Sequence, residues 1–280
     1  MGSSLDWLTV RRGKAPLIVS IPHAGTIIPA PLAARLVSEW LARKDTDWYV
    51  AELYEFAAGL DATIVQTAIS RTVIDVNRDP SGASLYPGRP TTELCPTTTF
   101  DGERLYRDDA ALAAADIAER RERYFDPYHR TLRDELDRLH AHHDQVVLYD
   151  AHSIRSRVPR LFAAELPIFN VGSNGGSSSA SLLVAAVAAH CAASRRSHVV
   201  DGRFQGGYIT RHYGDPASGA HALQMELACR GYLQEPDLPL TTDNWPPPYD
   251  RAKAAPLQDV LRSVLQTCSE FARSPRSFKS

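Results

Sequence analysis

Leu17-Ile18-Val19-Ser20-Ile21-Pro22-His23-Ala24-Gly25 joins an apolar, β-branched run to a proline, a histidine and a glycine. Such a run reads as a parallel strand buried on both faces, delivering His23 into the crevice at its carboxyl end. A lone histidine after a strand is more often a hydrogen-bonded structural residue than a ligand. The weight changes with a second stretch of the same design, Val146-Val147-Leu148-Tyr149-Asp150-Ala151-His152-Ser153. Two strand-end histidines can converge on one crevice, which makes an α/β sheet the expected frame and His23 and His152 candidate metal ligands.

The rest of the chain bounds this reading. At 280 residues with 44% hydrophobic residues, it can cover a sheet on both faces, and a single domain spanning 1–280 is expected. Its 31 Lys and Arg against 33 Asp and Glu give a formal charge of -2, which disfavours nucleic acid or an anionic membrane as partner. Cys95, Cys191, Cys229 and Cys268 are scattered without a C-x-x-C pair, arguing against a disulfide framework and a thiolate zinc site. The first residues carry no basic region followed by an apolar core, and no apolar run approaches membrane-spanning length, so a cytoplasmic protein is expected.

Between the two strands, Leu32, Leu36, Trp40 and Leu41 recur at helical spacing, and a second helix is expected to start near Asp47, after Lys44-Asp45-Thr46-Asp47. Of the two carboxylates at its entrance, one can cap the helix while the other turns toward metal. Ala62–Gln66 and Thr72–Val76 read as short strands. Arg71, Asn77 and Arg78 lie close enough to form a carboxylate site, although arginines at a surface are usually just solvated. Residues 81–107 form a long Pro-, Gly- and Thr-rich loop, with turns at Tyr86-Pro87-Gly88 and Phe100-Asp101-Gly102-Glu103, suited to a lid or substrate wall.

Residues 108–143 are helical by composition, restarting or kinking at Asp126-Pro127. His140, His142 and His143 at its end have no i, i+4 pair and read as a solvated helix terminus. Further on, Pro167–Val171 reads as a strand. The stretch Gly172–Ser179 reads as a flexible serine-capped connection to an alanine-rich helix ending near Ala193, and Gly206–Gly214 as a glycine-bearing strand. In His221–Leu227, alternation sets Leu223, Met225 and Leu227 on one face and Gln224 and Glu226 on the other. A buried Glu226 is either structurally paired or tuned for acid–base work. An amphipathic helical tail over 250–273 closes the chain.

Two imidazoles and a carboxylate, with a position left for water, form the ligand set of a hydrolytic zinc site. Zinc lowers the pKa of its water toward ~7 and polarises a carbonyl, while a nearby glutamate such as Glu226 moves the proton to the leaving nitrogen. With an arginine clamp, these parts describe removal of an acyl group from an acidic amide.

At these residues the sequence resembles the N-formylglutamate amidohydrolase family. The likeness runs from about Pro16 to Glu235 through Ser20–Gly25, Asp45–Trp48, Ser70–Arg78, Asp150–Arg155 and Gly206–Gly214. The resemblance implies a three-layer α/β/α fold with a mixed central sheet, of the zinc-dependent exopeptidase (phosphorylase/hydrolase-like) type. It also implies hydrolysis of N-formyl-L-glutamate to formate and L-glutamate, late in histidine breakdown. Carried over, His23, Asp47 and His152 become the metal ligands, with Asp45 as the alternative carboxylate; zinc, or another divalent metal, is the implied cofactor. Glu226 matches the catalytic glutamate, Asn77-Arg78 looks like a carboxylate-binding pair, and Arg71 and Arg211 are further clamps. Two departures stand out: Gln205 replaces the lysine expected after Arg203-Phe204, and Ser173 to Ser179 replaces a segment usually carrying Asp and Cys. They leave room for a related amidohydrolase acting on another N-formyl or N-acyl amino acid. A noncatalytic protein that binds acidic ligands is the remaining alternative, and the sequence leaves the oligomeric state open.

Overall fold

The computed structural model describes residues 6–84, 88, 90–108 and 112–275. Its first elements are β1 (Leu8–Arg11), β2 (Leu17–Ile21), α1 (Ala30–Ala33), α2 (Glu39–Arg43) and α3 (Val50–Leu53), with a 3-10 turn (Glu55–Leu60) leading to β3 (Thr63–Thr67). Then follow α4 (Ala114–Arg120), a π turn (Arg121–Phe125), α5 (Asp126–His140), β4 (Val146–Ile154), β5 (Phe169–Gly172), α6 (Ser181–Ala193) and β6 (His198–Val200). The chain ends with α7 (Tyr208–Tyr213), β7 (Ala220–Ala228) and α8 (Arg251–Arg273). Tyr86 and Pro87 of the expected turn, and positions 109–111 of the expected helix, lie outside the described residues.

Among the described residues, seven strands form one mixed sheet in the order β1-β3-β2-β4-β7-β5-β6. Strands β3, β2, β4 and β7 run parallel, β1 pairs antiparallel with β3 and β5 antiparallel with β7, and β6 runs parallel to β5. From β2 the chain moves outward to β3 and then crosses back to β4 on the other side. The carboxyl ends of β2 and β4 therefore flank a topological switch point, where α/β sheets open a crevice. Both central strands are buried along their length, as their continuous apolar runs require.

The two faces of the sheet carry separate cores. Leu17, Val19 and Ile21 pack with Val50 and Leu53 of α3, Leu183 and Val187 of α6, and Leu257, Leu261 and Leu265 of α8. Ile18 and Leu148 face the opposite way, onto Tyr128, Leu132 and Leu136 of α5. The result is a three-layer arrangement with the crevice at one end. No helix among the described residues is long and apolar enough to cross a membrane.

Four local expectations need correction. Thr72–Val76 is not a strand: Val73 N–H bonds to Ser70 O and Arg78 N–H to Asp75 O, so the segment turns on itself. Its Val73, Ile74 and Val76 are buried all the same, which is why apolarity alone imitated a strand. Gly206–Gly214 holds the short helix α7 instead of a strand, and its buried Ile209, Thr210 and Tyr213 follow helical spacing. The helix after Asp47 begins only at Val50. The serine-rich connection is tied down rather than free: Ser173 Oγ donates to Asp201 Oδ2 at 2.5 Å and Ser178 Oγ to Ala222 O at 2.8 Å. Its last residue before α6, Ala180, offers no side-chain cap.

By contrast, Asp126-Pro127 does restart a helix, after the π turn that brings both Tyr124 and Phe125 into the core. All four cysteines are free and buried.

Candidate active site

Pro22 ends β2, and His23 follows at the mouth of the crevice. His152 lies near the carboxyl end of the neighbouring β4, and Asp47 between α2 and α3 reaches the same point. One ligand atom from each of these three buried residues falls within 4.8 Å of the others. Asp47 is placed by its own backbone, whose N–H donates to His23 O at 3.0 Å. Its Oδ2 accepts from Ser153 N–H at 3.1 Å and lies 3.0 Å from His152 Nδ1 and 3.7 Å from His23 Nδ1.

Each imidazole is held from behind by a carboxylate. His23 Nε2 lies 2.7 Å from Asp75 Oδ1, and His152 Nε2 lies 2.8 Å from Asp150 Oδ2. A carboxylate only accepts, so each Nε2 carries a proton; each Nδ1 is directed at Asp47, and His152, which meets carboxylates at both nitrogens, carries a proton on both. This is the carboxylate–histidine arrangement that orients metal-binding imidazoles. His23 Nδ1 is buried without a hydrogen-bond partner among the described residues, since 3.7 Å is too long for a hydrogen bond. Burial opposes charge on His152, but Asp150 and Asp47 outweigh it and raise its pKa well above the usual imidazole range. Burial would likewise raise Asp47, yet the facing imidazoles hold its carboxyl well below the usual range. The point between the three side chains thus favours positive charge, and its two-imidazole, one-carboxylate donor set fits a divalent metal.

Parallel pairing of β4 with β7 sets Gln224 beside Asp150 and Glu226 beside His152. Glu226 is only 7% exposed and lines the cleft. Burial pushes its carboxyl up to about 8, against the opposing charge of His152 and with help from Asp47. Gln224 Nε2 donates to Glu226 Oε2 at 3.3 Å, while its Oε1 accepts from Gly207 N–H at 2.7 Å.

Of the residues expected to grip substrate, Arg71, Asn77 and Arg78 all line the cleft, each held in a different way. Arg71 braces the centre, donating to Asp47 Oδ1 at 3.3 Å and Asp75 Oδ2 at 2.8 Å, with its guanidinium 4.8 Å from the Phe100 ring centre. Asn77 is built into the same frame: its Nδ2 donates to Asp150 Oδ2 at 2.9 Å and its Oδ1 accepts from Ile209 N–H at 2.8 Å. Gly207 makes room for it, because a Cβ there would sit 2.4 Å from Asn77 Nδ2. Arg78 lines the cleft, with Nε and Nη2 held by the carbonyl and hydroxyl of Thr92. Arg211 is not among the cleft-lining residues; helix α7 turns its Nε back to Gly206 O at 3.0 Å.

Asp45 also stands apart, pairing with Arg155 at 3.0 Å and accepting from Phe100 N–H. His143 bonds to Lys14 O near the amino end of β4, the far end of the strand from His152.

Sequence reading missed Asp75, Asp150, Phe100, Gln224, Arg203 and Phe204. Asp150 was discoverable, since residues two apart share a strand face. Asp75 was hidden by the assignment of its segment as a strand. Of the two departures, Gln205 donates to Asp201 O at 3.3 Å and does not line the cleft, nor do Ser173 to Ser179.

Comparison with known proteins bears directly on this geometry. The family model described as N-formylglutamate amidohydrolase matches residues 15–233. N-formylglutamate deformylase of Pseudomonas putida is 43% identical over 260 residues, covering 92% of this chain and 94% of that protein. The protein of the same name from Pseudomonas aeruginosa is 42% identical over 267 residues, covering 95% and 97%. The crystal structure of N-formylglutamate amidohydrolase from Ralstonia eutropha shares the fold with a TM-score of 0.78 at 23% identity, over 96% of this chain and 99% of that one. A gene product of Agrobacterium tumefaciens does so at 0.69 and 17%, over 95% and 96%. With a family model spanning most of its length and two relatives matching nearly all of it, the chain belongs to the N-formylglutamate amidohydrolase family.

Proposed function

We propose that this protein is a zinc-dependent amidohydrolase that converts N-formyl-L-glutamate and water to formate and L-glutamate, late in histidine breakdown, on a fold of the zinc-dependent exopeptidase type. The observation that carries the reading is the meeting of His23, Asp47 and His152 at one buried point, with Glu226 beside them in an arginine-lined cleft. The names of the Pseudomonas relatives support the substrate.

His23 Nδ1, His152 Nδ1 and an Asp47 oxygen would hold the metal. When bound, a divalent cation there supplies Lewis acidity toward the formyl carbonyl and the attacking water. Glu226 does the proton work: its carboxylate takes a proton from water and passes it to the amide nitrogen as the C–N bond breaks. Desolvation raises its basicity, making it a stronger acceptor than an exposed glutamate. Asp75 and Asp150 keep a proton on each Nε2, so that a bound cation would displace the inner proton of His152 and find both Nδ1 atoms directed at it. Arg78, charged and fixed by Thr92, binds the α-carboxylate next to the scissile amide. Arg71 and Asn77 hold the frame.

Because Gln205 and the serine segment do not line the cleft, neither departure argues for a different acyl amino acid. The test is stoichiometric release of formate and glutamate from N-formyl-L-glutamate by purified protein, set against N-formyl and N-acetyl derivatives of other amino acids. Preference for N-formyl-L-glutamate supports the proposal, and a higher kcat/KM on another derivative reassigns the substrate.

A further inference from the structure

N-formyl-L-glutamate carries two carboxylates, and the structure supplies a second cation that the sequence reading did not consider. Arg203 lies in the loop after β6 and lines the cleft. Its Nε donates to Leu161 O and its Nη2 to Pro90 O, each at 3.0 Å, and its guanidinium sits 5.3 Å from the Phe204 ring centre. Pro90 belongs to the same short strap as Thr92, which holds Arg78. Two guanidinium groups from distant parts of the chain are thus fastened to one cleft-lining strap, two residues apart.

They differ in their relation to the metal point. Arg78 follows Asn77, which bonds to Asp150 behind His152, and its Nη2 is 3.8 Å from Asp75. Arg203 is anchored instead to Leu161 and Pro90, on the side of the cleft that Leu161 and Phe204 line. A glutamyl substrate has a matching order: the α-carboxylate adjoins the reacting amide, and two methylenes separate it from the side-chain carboxylate. The apolar wall suits the methylenes.

Resting on the function proposed above, we propose that Arg203 is a specificity-determining residue that binds the side-chain carboxylate, while Arg78 takes the α-carboxylate. The bonds to Leu161 and Pro90 pre-orient its guanidinium, so that little rotamer freedom remains to be lost on binding.

The test compares N-formyl-L-glutamate with N-formyl-L-glutamine, which keeps the length and the α-carboxylate and removes only the side-chain charge. Wild type, Arg203→Gln, Arg203→Lys and Arg78→Gln are assayed on both. The ratio of kcat/KM values isolates the side-chain carboxylate, because a general loss of folding or of loop order lowers both substrates together. Arg203→Gln is expected to reduce that ratio about 10- to 100-fold, mainly through KM for the glutamate substrate, the size expected for one lost charge-assisted bond. Arg203→Lys is expected to retain part of the preference, and Arg78→Gln to lower both values without changing the ratio. A ratio unchanged in Arg203→Gln overturns the assignment while leaving the deformylase reading intact. Absence of formate release from N-formyl-L-glutamate by wild type overturns both.

Discussion

At the scale of single residues, the site rests on buried carboxylates that do different work. Asp47 faces the point between the two imidazoles, whereas Asp75 and Asp150 stand behind them. Asp150→Asn should weaken zinc binding by roughly 10- to 100-fold, measured by competition with a chromophoric chelator, because its amide can no longer act as the charged acceptor for Nε2. Unchanged affinity would mean that Asp150 serves only Ser20 and Asn77, its other partners. Glu226→Gln keeps size and burial but removes the proton acceptor. Its kcat should fall roughly 10²- to 10⁴-fold, with a much smaller change in KM. Wild-type turnover in that variant would remove Glu226 from the mechanism. His23 and His152 were legible because a strand reveals where its end points. The choice between Asp45 and Asp47 was not, since two carboxylates two residues apart in an irregular segment have no fixed face. Only the fold shows that Arg155 holds the first while Ser153 N–H and His152 hold the second.

At the scale of elements, strands that are apolar on both faces were readable, and irregular apolar segments were not. Ile18 to Ile21 and Val146 to Tyr149 form central strands, whereas Val73 to Val76 is as apolar and yet turns, to bring Asp75 behind His23. The misread α7 matters because Gly207 at its start lets the helix approach Asn77. Gly207→Ala places a Cβ about 2.4 Å from the Asn77 amide. That change should cost roughly 1–3 kcal/mol of stability, measured by urea unfolding, and reduce kcat/KM by at least about tenfold as Asn77 loses its grip on Asp150. A variant with wild-type stability and activity would show that the approach is relieved cheaply.

At the scale of the whole molecule, stability and its pH dependence follow from how the layers close. Leu261 of α8 is fully buried against the sheet, so Leu261→Ala should cost about 2–5 kcal/mol. Between α5 and the Val76 segment, His129 Nε2 bonds to Val76 O at 2.8 Å. Burial lowers its pKa from 6.5 to about 4, although the Val76 carbonyl acts the other way. Between those values the unfolded chain binds the extra proton, so stability is full above pH 6.5 and is lost as pH falls toward 4. For this largely enclosed ring the loss at pH 5 should be on the order of 1–2 kcal/mol. Urea midpoints at pH 7.5 and 5 should therefore differ more in wild type than in His129→Gln; equal differences would assign the acid sensitivity elsewhere.

The claim that organises this molecule is that the two strand-end histidines and Asp47 hold a catalytic metal. It is tested most directly by measuring formate release from N-formyl-L-glutamate before chelation, after removal of bound metal, and after zinc is added back, in wild type and in His23→Ala. The expected result is loss of activity with the metal and recovery with zinc in wild type alone. Full activity in protein stripped of metal would contradict a metal centre at His23, Asp47 and His152.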